Sequence, residues 1–183
     1  MAEKKKMLEV VTEMPSGVTA SHTHPVLTVK GKAGEVHRAF NNPRILVSVD
    51  GNKIVLKSIR STQVEKMHIN TFAAHVANMI KGAQTPFKYE LKVCSGHFPM
   101  TVAIKGTTFE LKNFLGENTS RTVTLKPGAK VTIAGANITV ESADIEIAGR
   151  VTSDLEQLTR IADKDRRVFQ DGIYLVKKMG KPI

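Results

Sequence analysis

An α+β fold, made of two tandem repeats of a small antiparallel sheet covered by one helix, is what this 183-residue sequence predicts. Three observations carry the prediction. "VDGNKIVLKS" at residues 49–58 returns as "IAGANITVES" at 133–142, so Gly51 answers Gly135, Ile54 answers Ile138, Leu56 answers Val140 and Ser58 answers Ser142. "LTVKG" at 27–31 returns as "VAIKG" at 102–106, setting Lys30-Gly31 against Lys105-Gly106. After each copy the two-residue alternation of strands gives way to apolar residues every three or four positions, the period of a helix.

Each element has its own signal. In the first half, "LTVKG" alternates apolar and polar, and after the "KAG" turn "EVHRAF" continues the alternation, which reads as a hairpin. "RILVSV" (44–49) meets "GNKIVLKS" through Asp50-Gly51, a tight-hairpin dipeptide. Thr62 and Glu65 have capping-box spacing at a helix start. Met67, Ile69, Phe72, Ala73, Val76, Met79 and Ile80 form the apolar stripe that follows, with Lys81 and Gly82 suiting its end. In the second half "FELKNF" follows "VAIKG" as "EVHRAF" follows "LTVKG". "RTVTL" (121–125) is expected to turn at Pro127-Gly128 into "KVTI", giving this copy about one extra strand. Ser142 and Asp144 suit a helix start, and Ile147, Val151, Leu155 and Leu158 make its stripe. Gly149 inside the stripe suggests close packing on the sheet, since glycine costs about 1 kcal/mol in a helix interior. The halves divide as 1–82 and 83–183, joined near "GAQTP".

Composition narrows the function. The net charge is +10 and the pI about 9.8, so the chain attracts polyanions, of which nucleic acid is the commonest in cytoplasm. The charge is uneven: residues 141–165 are acidic on balance, whereas the tail holds Arg166, Arg167, Lys177, Lys178 and Lys181. The only cysteine is Cys94, which excludes an intrachain disulfide framework and suits a reducing compartment. No apolar stretch approaches the ~20 residues needed to span a bilayer, and "MAEKKKML" has no apolar core of secretory-signal length. Its "EKKK" reads as a solvated tail.

The motifs of nucleotide, zinc-protease and serine-hydrolase chemistry are missing. His22 and His24 share a strand face, and Cys94 with His97 offers half of a zinc site, but a structural zinc needs four ligands. Asp163 and Asp165 are surrounded by Arg160, Lys164, Arg166 and Arg167, with nothing apolar nearby to raise a carboxylate pKa. The sequence therefore predicts no catalytic residue, no metal and no cofactor. A small hydrolase or metal enzyme using His22, His24, Asp163 or His97 is the rival reading. Basic residues offer more. Lys30, Lys32, His37 and Arg38 surround Gly31 and Gly34, where backbone amides can approach phosphate, although an exposed hairpin tip reads the same way. In the tail, arginines can chelate phosphate, while Tyr174 can stack, bond a ribose or simply pack in the strand "GIYLV".

Four stretches together are specific: "HINTFAAHVANMIKG" (68–82), "HFPMTVAIKG" (97–106), "LKNFLGE" (111–117) and "KDRRVFQDGIYLV" (164–176). From about Leu8 to Pro182 the chain resembles the large ribosomal subunit protein six family in its archaeal and eukaryotic branch, with "FQDGIY" in place of the bacterial "PEPYKGKGI" ending. The resemblance implies two tandem α+β domains and a non-enzymatic, cytoplasmic role in the ribosome. It implies binding of large-subunit rRNA near the stalk base and the sarcin–ricin loop, with neighbouring ribosomal proteins beside it and translation GTPases nearby. It further implies that the second domain and tail make most of the RNA contact, through Lys88, Lys92, His97, Lys112, Arg121, Lys164, Arg166, Arg167, Tyr174, Lys177 and Lys178. The acidic stretch 141–165 would then face solvent or a neighbouring protein. A free-standing RNA-binding regulator outside the ribosome is the alternative.

Overall fold

A computed structural model describes residues 7–183; the N-terminal lysine run lies outside them. The chain divides into two compact units, Met1–Pro86 and Phe87–Ile183.

The first unit contains two three-stranded antiparallel sheets. One is ordered β1 (Glu9–Glu13), β6 (Lys53–Ser58), β5 (Ile45–Asp50); the other is β2 (Thr19–Thr23), β3 (Val26–Gly31), β4 (Gly34–Ala39). Helix α1 (Gln63–Gln84) packs against strands of both. The central strands carry the apolar load, with Ile54 and Leu56 of β6 and Leu27 and Val29 of β3 fully buried. Edge strands β1, "EVVTE", and β2, "TASHT", are polar or small, which blunts an open edge and also conceals it from a search for apolar alternation. The sequence reading misses β1 and touches β2 only through the strand face expected for His22 and His24, of which His22 lies in β2 and His24 in the turn after it.

The ends of α1 depart from expectation. Thr62 is the N-cap residue, but its side chain makes no capping bond. Glu65 turns inward instead, buried, with Oε1 accepting from Arg44 Nη1 at 3.0 Å. Met67 is exposed, outside the packed stripe. Gly82 lies within the last turn, and the Thr85 N–H closes the helix on the Lys81 carbonyl at 2.9 Å. Near that end the Ala33 N–H donates to the Ala83 carbonyl at 2.9 Å, fastening the β3–β4 hairpin to the helix. A Cβ at Gly31 would stand 2.3 Å from the same carbonyl oxygen, so Gly31 permits a backbone contact. Gly106, its sequence match, does a different job: it turns a hairpin at φ +62°.

The second unit also has two sheets: β8 (Thr101–Lys105), β9 (Thr108–Lys112) and β10 (Arg121–Thr124), with β9 central; and a five-stranded sheet ordered β11 (Ala129–Ala134), β12 (Asn137–Ser142), β7 (Phe87–Cys94), β13 (Gly172–Lys178), β14 (Lys181–Pro182). Helix α2 (Ile145–Leu158) begins as expected, with the Asp144 carboxylate accepting the Glu146 N–H at 2.8 Å. Ala148, Val151 and Leu155 of α2 join Tyr89, Leu91, Phe109, Phe114, Ile138, Val140 and Ile173 in one core.

Several expectations change. Each unit has two sheets, not one. The Pro127-Gly128 segment joins two different sheets, since β10 pairs with β9 while β11 pairs with β12, so no hairpin forms there. By pairing order the central strand β3 corresponds to β9, one strand later than the "VAIKG" match, and six strands precede the helix in each unit. Gly149 is not tightly packed either; a Cβ there would lie 3.8 Å from the Tyr89 hydroxyl, an ordinary contact.

Candidate nucleic-acid interface

Strand alternation in the five-stranded sheet builds the candidate surface. Along β7, Tyr89 and Leu91 point into the core, so Lys88, Glu90 and Lys92 project from the opposite face. On β13, Ile173 is buried and Tyr174 stands outward, paired in register with Lys92. A register shift between Leu175 and Lys177 then sets Lys177 opposite Glu90 and Lys178 opposite Tyr89. Five of the sequence-predicted residues thus share adjacent strands of one sheet: Lys88, Lys92, Tyr174, Lys177 and Lys178.

His97 reaches the same region from the loop after β7, which Asp171 holds in place. The buried Asp171 carboxylate accepts the backbone N–H of Gly96, of His97 at 3.4 Å and of Phe98 at 3.5 Å. Burial disfavours its charge, but those N–H groups and the His97 imidazole outweigh burial and hold its pKa below the ordinary aspartate value. The sequence reading missed Asp171. An acid directly before a strand, in a motif crowded with basic residues, was the available signal.

The segment between α2 and β13 brings Lys164, Arg166 and Arg167. Lys164 Nζ lies 5.0 Å above the Phe169 ring, and the His97 ring approaches the same Phe169 at 5.1 Å. Arg166 lines two hollows that meet beside Tyr174, one bounded by Lys92, His97 and Asp171, the other by the end of α2. Arg167 chelates Asp165, with Nη2 to Oδ2 at 2.8 Å and Nε within 3.2 Å of both oxygens. That bond lowers the Asp165 pKa and raises that of Arg167.

The cations are not equivalent. Lys177 Nζ lies 3.0 Å from Glu90, and Lys88 lies 3.9 Å from the same carboxylate. Lys92, Arg166 and Lys178 have no ion-pair partner among the described residues and are exposed. Two candidates sit in the other sheet. Lys112 pairs with Glu110 at 3.6 Å. Arg121 is committed to the fold: Nε and Nη2 grip Glu117 at 2.8 and 2.6 Å, Nη1 donates to the Leu158 carbonyl at 2.8 Å, and the guanidinium lies 4.4 Å over Phe114. Its charge ties the end of α2 to β10 and leaves little for a phosphate. The Arg121 hydrogen bonds, set against burial, lower the Glu117 pKa.

The first unit's basic hairpin is also partly spoken for. Lys30 lies 3.8 Å from Glu35, Thr28 Oγ1 is 3.0 Å from His37 Nδ1, and Arg38 Nη2 donates to His75 Nε2 at 3.2 Å. His22 and His24 meet edge to face with centroids 6.3 Å apart. Among the described residues no three His, Cys, Asp or Glu side chains gather as a metal site, and no helix is long and apolar enough to cross a membrane.

A profile of the family described as Ribosomal protein L6 matches residues 14–85. Relatives described as Large ribosomal subunit protein uL6 align with both units. The one from Aeropyrum pernix is 37% identical, over 97% of this chain and 98% of its own. That from Haloarcula marismortui is 41% identical, over 94% and 97% respectively. That from Nanoarchaeum equitans is 44% identical, over 93% of each.

Proposed function

We propose that this chain, which belongs to the ribosomal protein L6 family, is a structural constituent of the large ribosomal subunit that binds large-subunit rRNA through the outer face and flank of its second unit. Proteins of the family are structural components of the ribosome, not enzymes. The observation that carries the RNA assignment is the placement of Lys92 and Arg166, exposed cations without an ion-pair partner among the described residues, beside the outward Tyr174, with the likewise exposed and unpaired Lys178 farther along the same strand. Such a surface neutralises phosphates and offers an aromatic plane, while the remaining basic side chains hold the fold or lend charge at longer range. Lys88, His97, Lys164, Arg167 and Lys177 form the second rank, since each already has an acid or aromatic neighbour.

The contact lies near the stalk base and the sarcin–ricin loop, in the cytoplasmic ribosome, with other ribosomal proteins as neighbours and translation GTPases docking close by. The two units are tandem copies of one ancestral unit. Their pairing orders support this: β1-β6-β5 beside β2-β3-β4 in one, β7-β12-β11 beside β8-β9-β10 in the other, each followed by a helix.

Sedimentation of cell lysate through a salt series tests the ribosomal role. The chain should travel with the large subunit at moderate salt and be released as salt rises. Sedimentation apart from the subunit at every salt, with RNA still bound, would favour a free-standing regulator.

A further inference from the structure

Two hollows meet at Tyr174 and Arg166. The smaller, of about 370 Å³, has Ile161, Phe169 and Ile173 in its lining and Glu156, Gln157 and Arg160 among its polar groups. The larger, of about 870 Å³, runs past Lys92 and His97. A nucleotide divides the same way, into a flat base with apolar faces and polar edges and a charged phosphate that needs cations. Small-ligand sites are commonly concave, largely apolar and furnished with a few convergent polar groups. The smaller hollow has that character, and the larger has the cations.

We propose that the smaller hollow receives one unstacked nucleobase of the bound RNA, with the attached ribose-phosphate crossing the Tyr174–Arg166 rim toward Lys92. This rests on the RNA-binding reading above and deepens it. Bases within a duplex are stacked and paired, so the nucleotide comes from a loop, a bulge or a strand end. Tyr174 supplies the stacking plane and is 42% exposed. Its hydroxyl donates to the Gln170 carbonyl at 3.1 Å, which fixes the ring before a ligand arrives. Gly172 is part of the device: a Cβ there would come within 3.1 Å of the Tyr174 Cε2, Cζ and hydroxyl oxygen, tighter than an ordinary contact, so glycine gives the ring room to lie along the strand. A plane held in advance lowers the ordering cost of binding. Glu156 accepts hydrogen bonds from amino or imino groups on the base edge, and the Gln157 amide meets either kind of edge.

The test uses the full chain and a short single-stranded RNA carrying the fluorescent base 2-aminopurine, beside the same RNA with an abasic ribose at that position. The intact RNA should bind about tenfold tighter than the abasic one, with its fluorescence quenched on binding. Tyr174→Ala should erase the difference and Tyr174→Phe should keep part of it, since the plane remains but the hydroxyl bond that fixes it is gone, with the salt slope of binding the same in all three proteins because the phosphate contacts are unchanged. Ile161→Trp, which fills the hollow from another wall, should repeat the loss and guards against a folding effect of the alanine variant. Equal affinities of intact and abasic RNA in the wild type, with a normal salt slope, would overturn the base slot and leave the RNA-binding reading standing. Absence of binding by any RNA, folded large-subunit rRNA included, would sink both. Adenosine monophosphate binding as tightly as the oligonucleotide would overturn the RNA source in favour of a free nucleotide.

Discussion

The Asp171 carboxylate is the anchor of Gly96: its Oδ1 accepts the Gly96 N–H, and its Oδ2 accepts those of His97 and Phe98. One buried side chain at the start of β13 therefore shapes the loop after β7 that carries His97 into the candidate interface. Because the folded pKa is depressed, the unfolded chain takes up the proton first. The stabilisation is complete above the unfolded carboxylate pKa and is lost as pH falls through the lower folded value. Asp171→Ala should cost about 1.5–3 kcal/mol at neutral pH, by removing the charged acceptor that holds three backbone N–H groups of the loop. The gap between variant and wild type should close toward acid pH in a series of urea titrations. A gap that stays constant down to strongly acid pH would show that the carboxylate's charge is not what holds the loop.

Two glycines should respond to alanine with opposite signs. Gly31→Ala forces a Cβ against the Ala83 carbonyl, 2.3 Å away, and both partners are backbone, so the hairpin or the end of α1 must shift. Overpacking of this kind costs about 1–3 kcal/mol. Gly149→Ala adds a methyl group in open contact inside α2 and should stabilise by about 0.5–1 kcal/mol. Denaturant midpoints of the two variants, measured side by side, check both signs.

Arg44 and Glu65 form an unequal pair: Arg44 is 58% exposed, whereas Glu65 is 1% exposed and its Oε2 has no hydrogen-bond partner among the described residues. Removing the arginine strands a buried carboxylate; neutralising the acid removes the charge that needed the arginine. Arg44→Ala should therefore destabilise by about 2–3 kcal/mol and Glu65→Gln by less, with the double variant milder than the sum. A full double-mutant cycle by chemical denaturation reads the coupling directly.

How much of this was legible beforehand depended on whether a residue's role was local. The apolar stripe of α2, the Asp144 cap and the Asp50-Gly51 hairpin are set by neighbours in sequence, and the structure has them as read. Glu65 had capping-box spacing, but Arg44, far off in the chain, captured it. Gly31 read as a glycine open to phosphate, or as part of an exposed hairpin tip, because the partner that excludes its side chain, Ala83, belongs to the end of α1. The strand matching slipped by one strand because β1 and β2 have almost no apolar signature at their open edges. Among the candidate RNA contacts, charge identified the basic residues but not their commitments. Nothing in "TSRTV" announces that Arg121 closes on Glu117 and the Leu158 carbonyl, and nothing near Lys177 announces Glu90 across the sheet.

Those commitments separate two classes of basic residue by experiment. Lys92 and Lys178 have no ion-pair partner to lose among the described residues, so alanine at either should change stability by no more than about 0.5 kcal/mol. Each should lower the salt slope of rRNA binding by roughly 0.7–0.9 for every phosphate contact removed. Arg121→Ala should do the reverse: destabilise the second unit by about 1–2 kcal/mol, chiefly through the released end of α2 and the lost contact with Phe114, since the half-exposed Glu117 is solvated once freed, with the salt slope unchanged at temperatures where the variant is folded. Lys177→Ala should fall between, because the Glu90 ion pair must be broken or shared before Lys177 can meet a phosphate. Filter-binding titrations against folded large-subunit rRNA at several salt concentrations, beside thermal melts of each variant, give both axes. A slope that drops for Arg121→Ala while those of Lys92→Ala and Lys178→Ala stay at the wild-type value would move the interface from the five-stranded sheet to the β8–β10 sheet.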